Sequence, residues 1–255
     1  VARFNEHDMT EILLINPNTT SSITDLVLKT ARTFASRGTS LRAVSGAFGP
    51  RYIASRVGYA IASHAAVDAF ANDKGRKDAV VLACFGDPGL AALKEISPVP
   101  VVGMADASVL QACALGGRFS IVTGGERWQS MLEEFVAGMG LSSRLASVRT
   151  VAPTGADIAR NPKAAMALLA KGCQACVKED RADVVILGGA GLAGLAAKLA
   201  SKVEVPLLDG VACAISTAEA LAAQKPAKAR AGQLSKAASV ESIGLTPALA
   251  KLINS

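Results

Sequence analysis

Aromatic residues make up only 4% of this chain, and histidine occurs twice in its 255 residues. The first scarcity argues against the base-stacking platforms that hold single-stranded nucleic acid. The second leaves little to bind a metal. His7 sits in a polar opening stretch, His64 falls within a helical pattern, and no cluster has ligand spacing. Long apolar runs are missing too, since none approaches the ~20 residues of a membrane-crossing helix. The opening VARFNEHDMTE has no apolar leader segment. Five cysteines are an odd number in a chain large enough to fold without disulfides. Free thiols in a reducing, cytoplasmic setting are the expectation.

Acidic residues are also thin at one end. From position 225 onward, Lys225, Lys228, Arg230, Lys236 and Lys251 face Glu241 alone, so most of the net charge of +6 sits there. A nucleic-acid reader would carry its basic face on the folded body. The stretch 225–255 therefore reads as a solvated basic tail, poorly packed or ending in a short helix.

What is abundant is Ala, Val, Leu and Gly, in short apolar runs alternating with longer helical segments. That rhythm predicts βα units around parallel sheets, an α/β fold. Strands are expected near 11–16, 40–46, 78–83, 100–103, 118–123, 146–151, 183–188 and 205–208. Helices are expected at 20–36, 56–73, 87–95, 105–115, 127–139, 161–178, 192–201 and 210–224.

The chain also repeats itself. A shift of about 105 residues lays VVLACFGDPGL at 80–90 over VVILGGAGLAGL at 184–195. Asp78 then meets Asp183, Gly86 meets Gly191, Gly89 meets Gly194, and Cys84 meets Gly189. ILLINPNTT at 12–20 likewise answers FSIVTGGER at 119–127. Two pseudo-symmetric lobes follow, with 1–104 plus 205–224 as the first and 105–204 as the second. Parallel sheets bind ligands beyond the carboxyl ends of their strands. Facing lobes would bring the turns at 16–20, 84–89, 123–127 and 189–194 around one cleft.

Each turn has chemistry. Cys84 precedes Asp87 and Pro88, a cap and first position for a helix, and a thiol at a helix N-terminus leans toward thiolate. In NPNTT, Asn18 or Thr19 can cap the next helix, and the turn can cradle a carbonyl or anion. Thr123, Gly124 and Gly125 allow close backbone approach. Glu126 suits a helix dipole. Other features carry less. Cys173 and Cys176 spell CQAC deep in a helical pattern, and Cys113 and Cys213 fit core helix faces. GGAGLAG is not read as a dinucleotide fingerprint, because glycine runs of this kind are weak signals. Arg51 and Tyr52 in FGPRYI could reach a carboxylate or could belong to a solvated loop.

Taken together, INPNTT at 15–20, ACFGDPGL at 83–90 and VPLLDGVACAI at 205–215 resemble the aspartate/glutamate/hydantoin racemase superfamily, most closely its hydantoin and allantoin racemases. The resemblance spans about 12–224. It implies two α/β lobes, a cleft between them, no cofactor and no metal. It also implies proton transfer at a carbon next to a carbonyl. Cys84 matches the first of two catalytic cysteines. The second position reads Gly188-Gly189-Ala190-Gly191, so its thiol is replaced by Gly189. By family position and repeat symmetry, Asn16, Phe85, Gly86, Thr123, Gly124, Ala190 and Gly191 are the substrate-binding candidates. The implied partner is a small molecule with a carbonyl or carboxylate, bound by a homo-oligomer; neither nucleic acid nor membrane is expected. Two alternatives stand beside racemisation. A single-thiol decarboxylase of the arylmalonate type would protonate one face only, and a non-catalytic binder would keep the cleft without turnover.

Overall fold

The structure is a computed structural model. It describes residues 9–151, 161–235, 238–239 and 241–254; His7 and Lys236 lie outside them. The apolar runs form eight strands: β1 (Thr10–Asn16), β2 (Thr39–Ser45), β3 (Ala79–Leu82), β4 (Val101–Gly103), β5 (Phe119–Thr123), β6 (Leu145–Thr150), β7 (Val184–Gly188) and β8 (Leu207–Asp209). All ladders are parallel. β1, β3, β5 and β7 read as near-continuous apolar runs because helices cover both faces of each sheet. Ile12–Ile15 and Val184–Ile186 are fully buried.

The strands divide into two sheets with matching order, β2-β1-β3-β4 and β6-β5-β7-β8. In each, the connections leave in opposite directions between the two central strands. That reversal opens a crevice at the carboxyl ends of β1 and β3, and of β5 and β7. The turns after these four strands are the four singled out by the internal repeat.

The helices are α1 (Ser21–Phe34), α2 (Arg56–Asn72), α3 (Leu90–Ile96), α4 (Met104–Leu115), α5 (Trp128–Gly138), α6 (Pro162–Lys178), α7 (Ala196–Leu199), α8 (Gly210–Gln224) and α9 (Pro247–Asn254). Two of them cross between the halves. α4 follows the first sheet but packs on β7 of the second, and α8 follows the second but packs on β3 of the first. They meet at the centre, where the Gln111 amide donates to the Cys213 carbonyl at 3.0 Å and to the Thr217 hydroxyl at 2.9 Å. A boundary at 204/205 therefore needs correction. β8 completes the second sheet, and only the helix after it returns to the first lobe.

Three other expectations change. α3 begins at Leu90 rather than 87, with Gly89 as its N-cap at φ +87°. The stretch 192–201 holds only the single turn α7 between two 3₁₀ turns at 190–192 and 200–202. The basic tail is docked. Leu249 is buried, and Leu252, one turn on, packs against the cluster containing Phe70 and Leu93. The Thr246 hydroxyl donates to Asp68 at 2.5 Å, and the Lys228 ammonium donates to the Lys94 carbonyl at 2.5 Å. Its charge hid an apolar stripe on α9.

Candidate active site

The four turns enclose a cavity of about 110 Å³. A single water needs about 10–15 Å³ on the same measure, so the space suits a small organic molecule. Ile23, Ile53, Phe85, Trp128 and Leu192 supply apolar wall, while Asn18, Arg51, Tyr52 and Thr123 supply polar groups.

Cys84 follows β3 by two residues and lines the cavity, though only 8% exposed. Burial pushes its thiol well above the ordinary cysteine range, and the neighbouring Asp87 carboxylate pushes it further. The expected thiolate-favouring helix end is absent, because α3 begins six residues later and Asp87 is turned elsewhere. Asp87 sits at φ +53°, a left-handed conformation uncommon for a residue with a side chain. Its carboxylate accepts from the backbone N–H groups of Ala105 at 3.0 Å and Asp106 at 2.7 Å. It thus caps α4, not α3, and ties the Cys84 turn to the helix that crosses lobes. Burial raises Asp87 to about 7 against the opposing pull of those two N–H groups. The Tyr59 hydroxyl donates to the Gly86 carbonyl at 2.9 Å, which holds the turn from α2.

The opposing wall is built differently. Gly189 has φ +142°, a conformation that L side chains rarely adopt. A Cβ there would meet Leu192 at 3.5 Å and the Thr123 hydroxyl at 3.9 Å, which are ordinary contacts. Space is available for a side chain, but the backbone is shaped for glycine. Phe85 lines one wall of the cavity, and Gly189 and Ala190 line the other. Backbone N–H groups on both walls can hold oxygens of a carbonyl or enolate.

A loop from the first lobe closes the mouth. Thr19 N–H donates to the Pro50 carbonyl at 3.2 Å, and the Thr20 hydroxyl to the Arg51 carbonyl at 2.7 Å. From the second lobe, Trp128 Nε1–H donates to the Ile53 carbonyl at 2.9 Å. Burial raises the Tyr52 hydroxyl, which points to the Gly124 carbonyl at 3.4 Å.

Comparison with known proteins gives the family. The sequence model of the family described as Asp/Glu/Hydantoin racemase matches residues 12–218. The chain belongs to this family. A hydantoin racemase from Pseudomonas sp. (strain NS671) is 36% identical over 214 residues, covering 83% of this chain and 85% of that protein. Another from Paenarthrobacter aurescens is 35% identical, covering 83% and 91%. Among solved structures, allantoin racemase from Pseudomonas fluorescens superposes with a TM-score of 0.89 at 31% identity, covering 92% of this chain and all of that one. A variant of arylmalonate decarboxylase, with one glycine changed to cysteine and one cysteine to serine, shares the fold. Its TM-score is 0.66 at 19% identity, with coverage of 87% and 97%.

Among the family-position candidates, the structure gathers Cys84, Phe85, Thr123, Gly124, Gly189, Ala190 and Gly191 around the cavity. It sets two aside. Asn16 is 1% exposed and spends its amide on the Asn18 side chain at 3.0 Å and the Thr24 hydroxyl at 2.9 Å. Its oxygen accepts from Asn18 N–H at 3.2 Å. Asn18, two residues on, reaches the cavity in its place, and its oxygen accepts from Thr20 N–H at 2.9 Å rather than capping α1. Gly86 lies beneath Trp128, where a Cβ would come within 2.5 Å of the indole. Trp128 itself escaped notice, although a lone tryptophan at the start of a helix after a singled-out turn was the available signal. Cys173 and Cys176 are fully buried in the second lobe's core, and Cys213 is buried beneath α4. Glu126 precedes α5 instead of lying in its first turn.

Proposed function

We propose that this chain is a cofactor-independent, racemase-type enzyme. It acts on a small, hydantoin-like amino-acid derivative and moves a proton at the carbon next to a carbonyl. Cys84 is the acid/base on one face. The observation carrying this reading is the placement of that thiol on one wall of a cavity whose other wall is formed by Gly189, Ala190 and Gly191. The N–H groups hold the carbonyl oxygen as it gains charge, the substrate carbon loses its proton to the sulfur as thiolate, and the thiol, after exchanging that proton with solvent, returns one to the carbon. The raised thiol makes the protonated form the resting state, so each cycle from the substrate side begins with the minor thiolate. No ionisable side chain projects from position 189, so full inversion relies on water at that wall and is slow against proton exchange.

The buried, protonated thiol also favours a second reading, decarboxylation of a malonate-type substrate. There, loss of carbon dioxide creates the carbanion and only a donor is needed. Enantiopure hydantoins and arylmalonates incubated in D₂O separate the readings. Deuterium at the reacting carbon of the hydantoin, lost in Cys84→Ala, supports the first. Carbon dioxide release with one product enantiomer supports the second. Neither signal, with ligand binding intact and insensitive to Cys84→Ala, leaves a binding protein.

A further inference from the structure

The loop at the cleft mouth carries Arg51, the one charged residue of the cavity lining among the described residues. Its backbone is held firmly. Pro50, Arg51 and Ile53 carbonyls accept from Thr19, Thr20 and Trp128, which belong to both lobes. The guanidinium, by contrast, has neither hydrogen-bond acceptor nor ion-pair partner among the described residues. Among the described residues, no carboxylate lines the cavity. A fixed platform holding an uncommitted cation at the mouth of a small cavity is arranged to receive an anion. Guanidinium matches a carboxylate with two parallel hydrogen bonds, and the apolar Ile53 and Trp128 of the same cavity lining reduce competition from water.

We propose that Arg51 is the specificity residue of this cleft, binding a carboxylate borne on the substituent of the substrate's reacting carbon. The substrate class is then the anionic derivative of an acidic amino acid rather than a neutral, alkyl-substituted one. This rests on the reading that Cys84 exchanges a proton next to a carbonyl. It adds the charge of the group on the far side of that carbon. Because Arg51 acts on the bound ground state and the transition state alike, its effect falls on KM and leaves kcat nearly unchanged.

Hydantoin-5-acetic acid and its primary amide form a matched pair, alike in shape and different in charge. Two readouts apply: protection of Cys84 from iodoacetamide, mapped by mass spectrometry, and deuterium entry at C5 in D₂O. In the unaltered protein the acid protects at a concentration about tenfold lower than the amide, the value for one charge-assisted hydrogen-bonded contact. Arg51→Gln removes that gap, and Arg51→Lys keeps part of it. Arg51 is exposed and its side chain holds nothing else, so both variants fold. Equal protection by acid and amide, or a gap that survives Arg51→Gln, overturns the proposal. Arg51-dependent protection by the acid without deuterium entry from either compound would leave the clamp standing and refute the proton-transfer reading. If neither compound protects nor exchanges, both are refuted.

Discussion

The two turns related by the internal repeat, 84–89 and 189–194, do the same architectural work with opposite chemistry. Each follows a central strand, faces the other lobe and lines one cavity. Each is also tied by a carboxylate to the start of a helix. In the first, Asp87 lies in the turn and reaches the N-terminus of α4. In the second, Asp209 lies at the end of β8, caps α8 through Val211 N–H at 2.9 Å and reaches back to Gly194 N–H at 2.7 Å. The brace is retained while its carboxylate has moved to the other end. The reactive group differs more sharply. One turn holds a buried, protonated thiol, and the other a glycine whose φ of +142° excludes ordinary side chains. A thiol at this second turn would therefore need a change of backbone as well as of side chain.

Substitutions at the two turns should separate function from stability. The largest effect is expected at Cys84. Cys84→Ala should lower deuterium exchange by about 10²–10⁴-fold, the usual range for one general acid–base group, while thermal denaturation changes little. Next comes Gly86→Ala, where the new methyl meets the Trp128 indole at a backbone conformation that L residues avoid. It should cost about 1–3 kcal/mol in denaturant titration and reduce exchange at the same time.

At the second turn the balance reverses. Gly189→Cys should lower stability by about 1–3 kcal/mol through backbone strain alone, and it should not create efficient inversion. A stable variant with fast racemisation would show that the turn readily accepts the missing thiol. Asp87→Asn should bring a smaller change, of about threefold. Removing the negative neighbour lowers the Cys84 thiol, so more thiolate is present at a given pH and iodoacetamide reacts faster there. The same substitution tests linkage. A carboxylate raised to about 7 in the folded state binds its proton more tightly there than when unfolded. Its stabilisation is full below the unfolded value near 4 and is lost as pH rises through about 7. Asp87→Asn should flatten that part of the stability curve. The smallest effect on exchange, within about twofold, is expected from Cys173→Ala, far from the cleft.

Much of the fold was legible because the central strands are unbroken apolar runs bounded by small residues, and because the two halves repeat. The order of the four turns around the cleft followed from that repetition. Side-chain direction was not legible. Asn16 and Asn18 are equivalent in composition, and only the packing of β1 against α1 decides that the first is consumed internally while the second faces the cavity. The Cys84 turn misled for a related reason. DPGL spells a helix start, yet Asp87 is drawn to a different helix, which moves the start to Leu90 and removes the dipole that would have favoured thiolate. The tail looked solvated by charge, and Leu249 with Leu252 counted for more than the lysines around them.

The central claim is that protons move at one wall of this cleft only. The most direct measurement takes a single enantiomer of hydantoin-5-acetic acid in D₂O and follows deuterium and configuration together. A one-sided thiol predicts that recovered starting enantiomer gains deuterium faster than the opposite enantiomer appears, and that Cys84→Ala abolishes both. Inversion that keeps pace with exchange, leaving the recovered starting enantiomer free of deuterium, would contradict it and require a second proton carrier at the Gly189 wall.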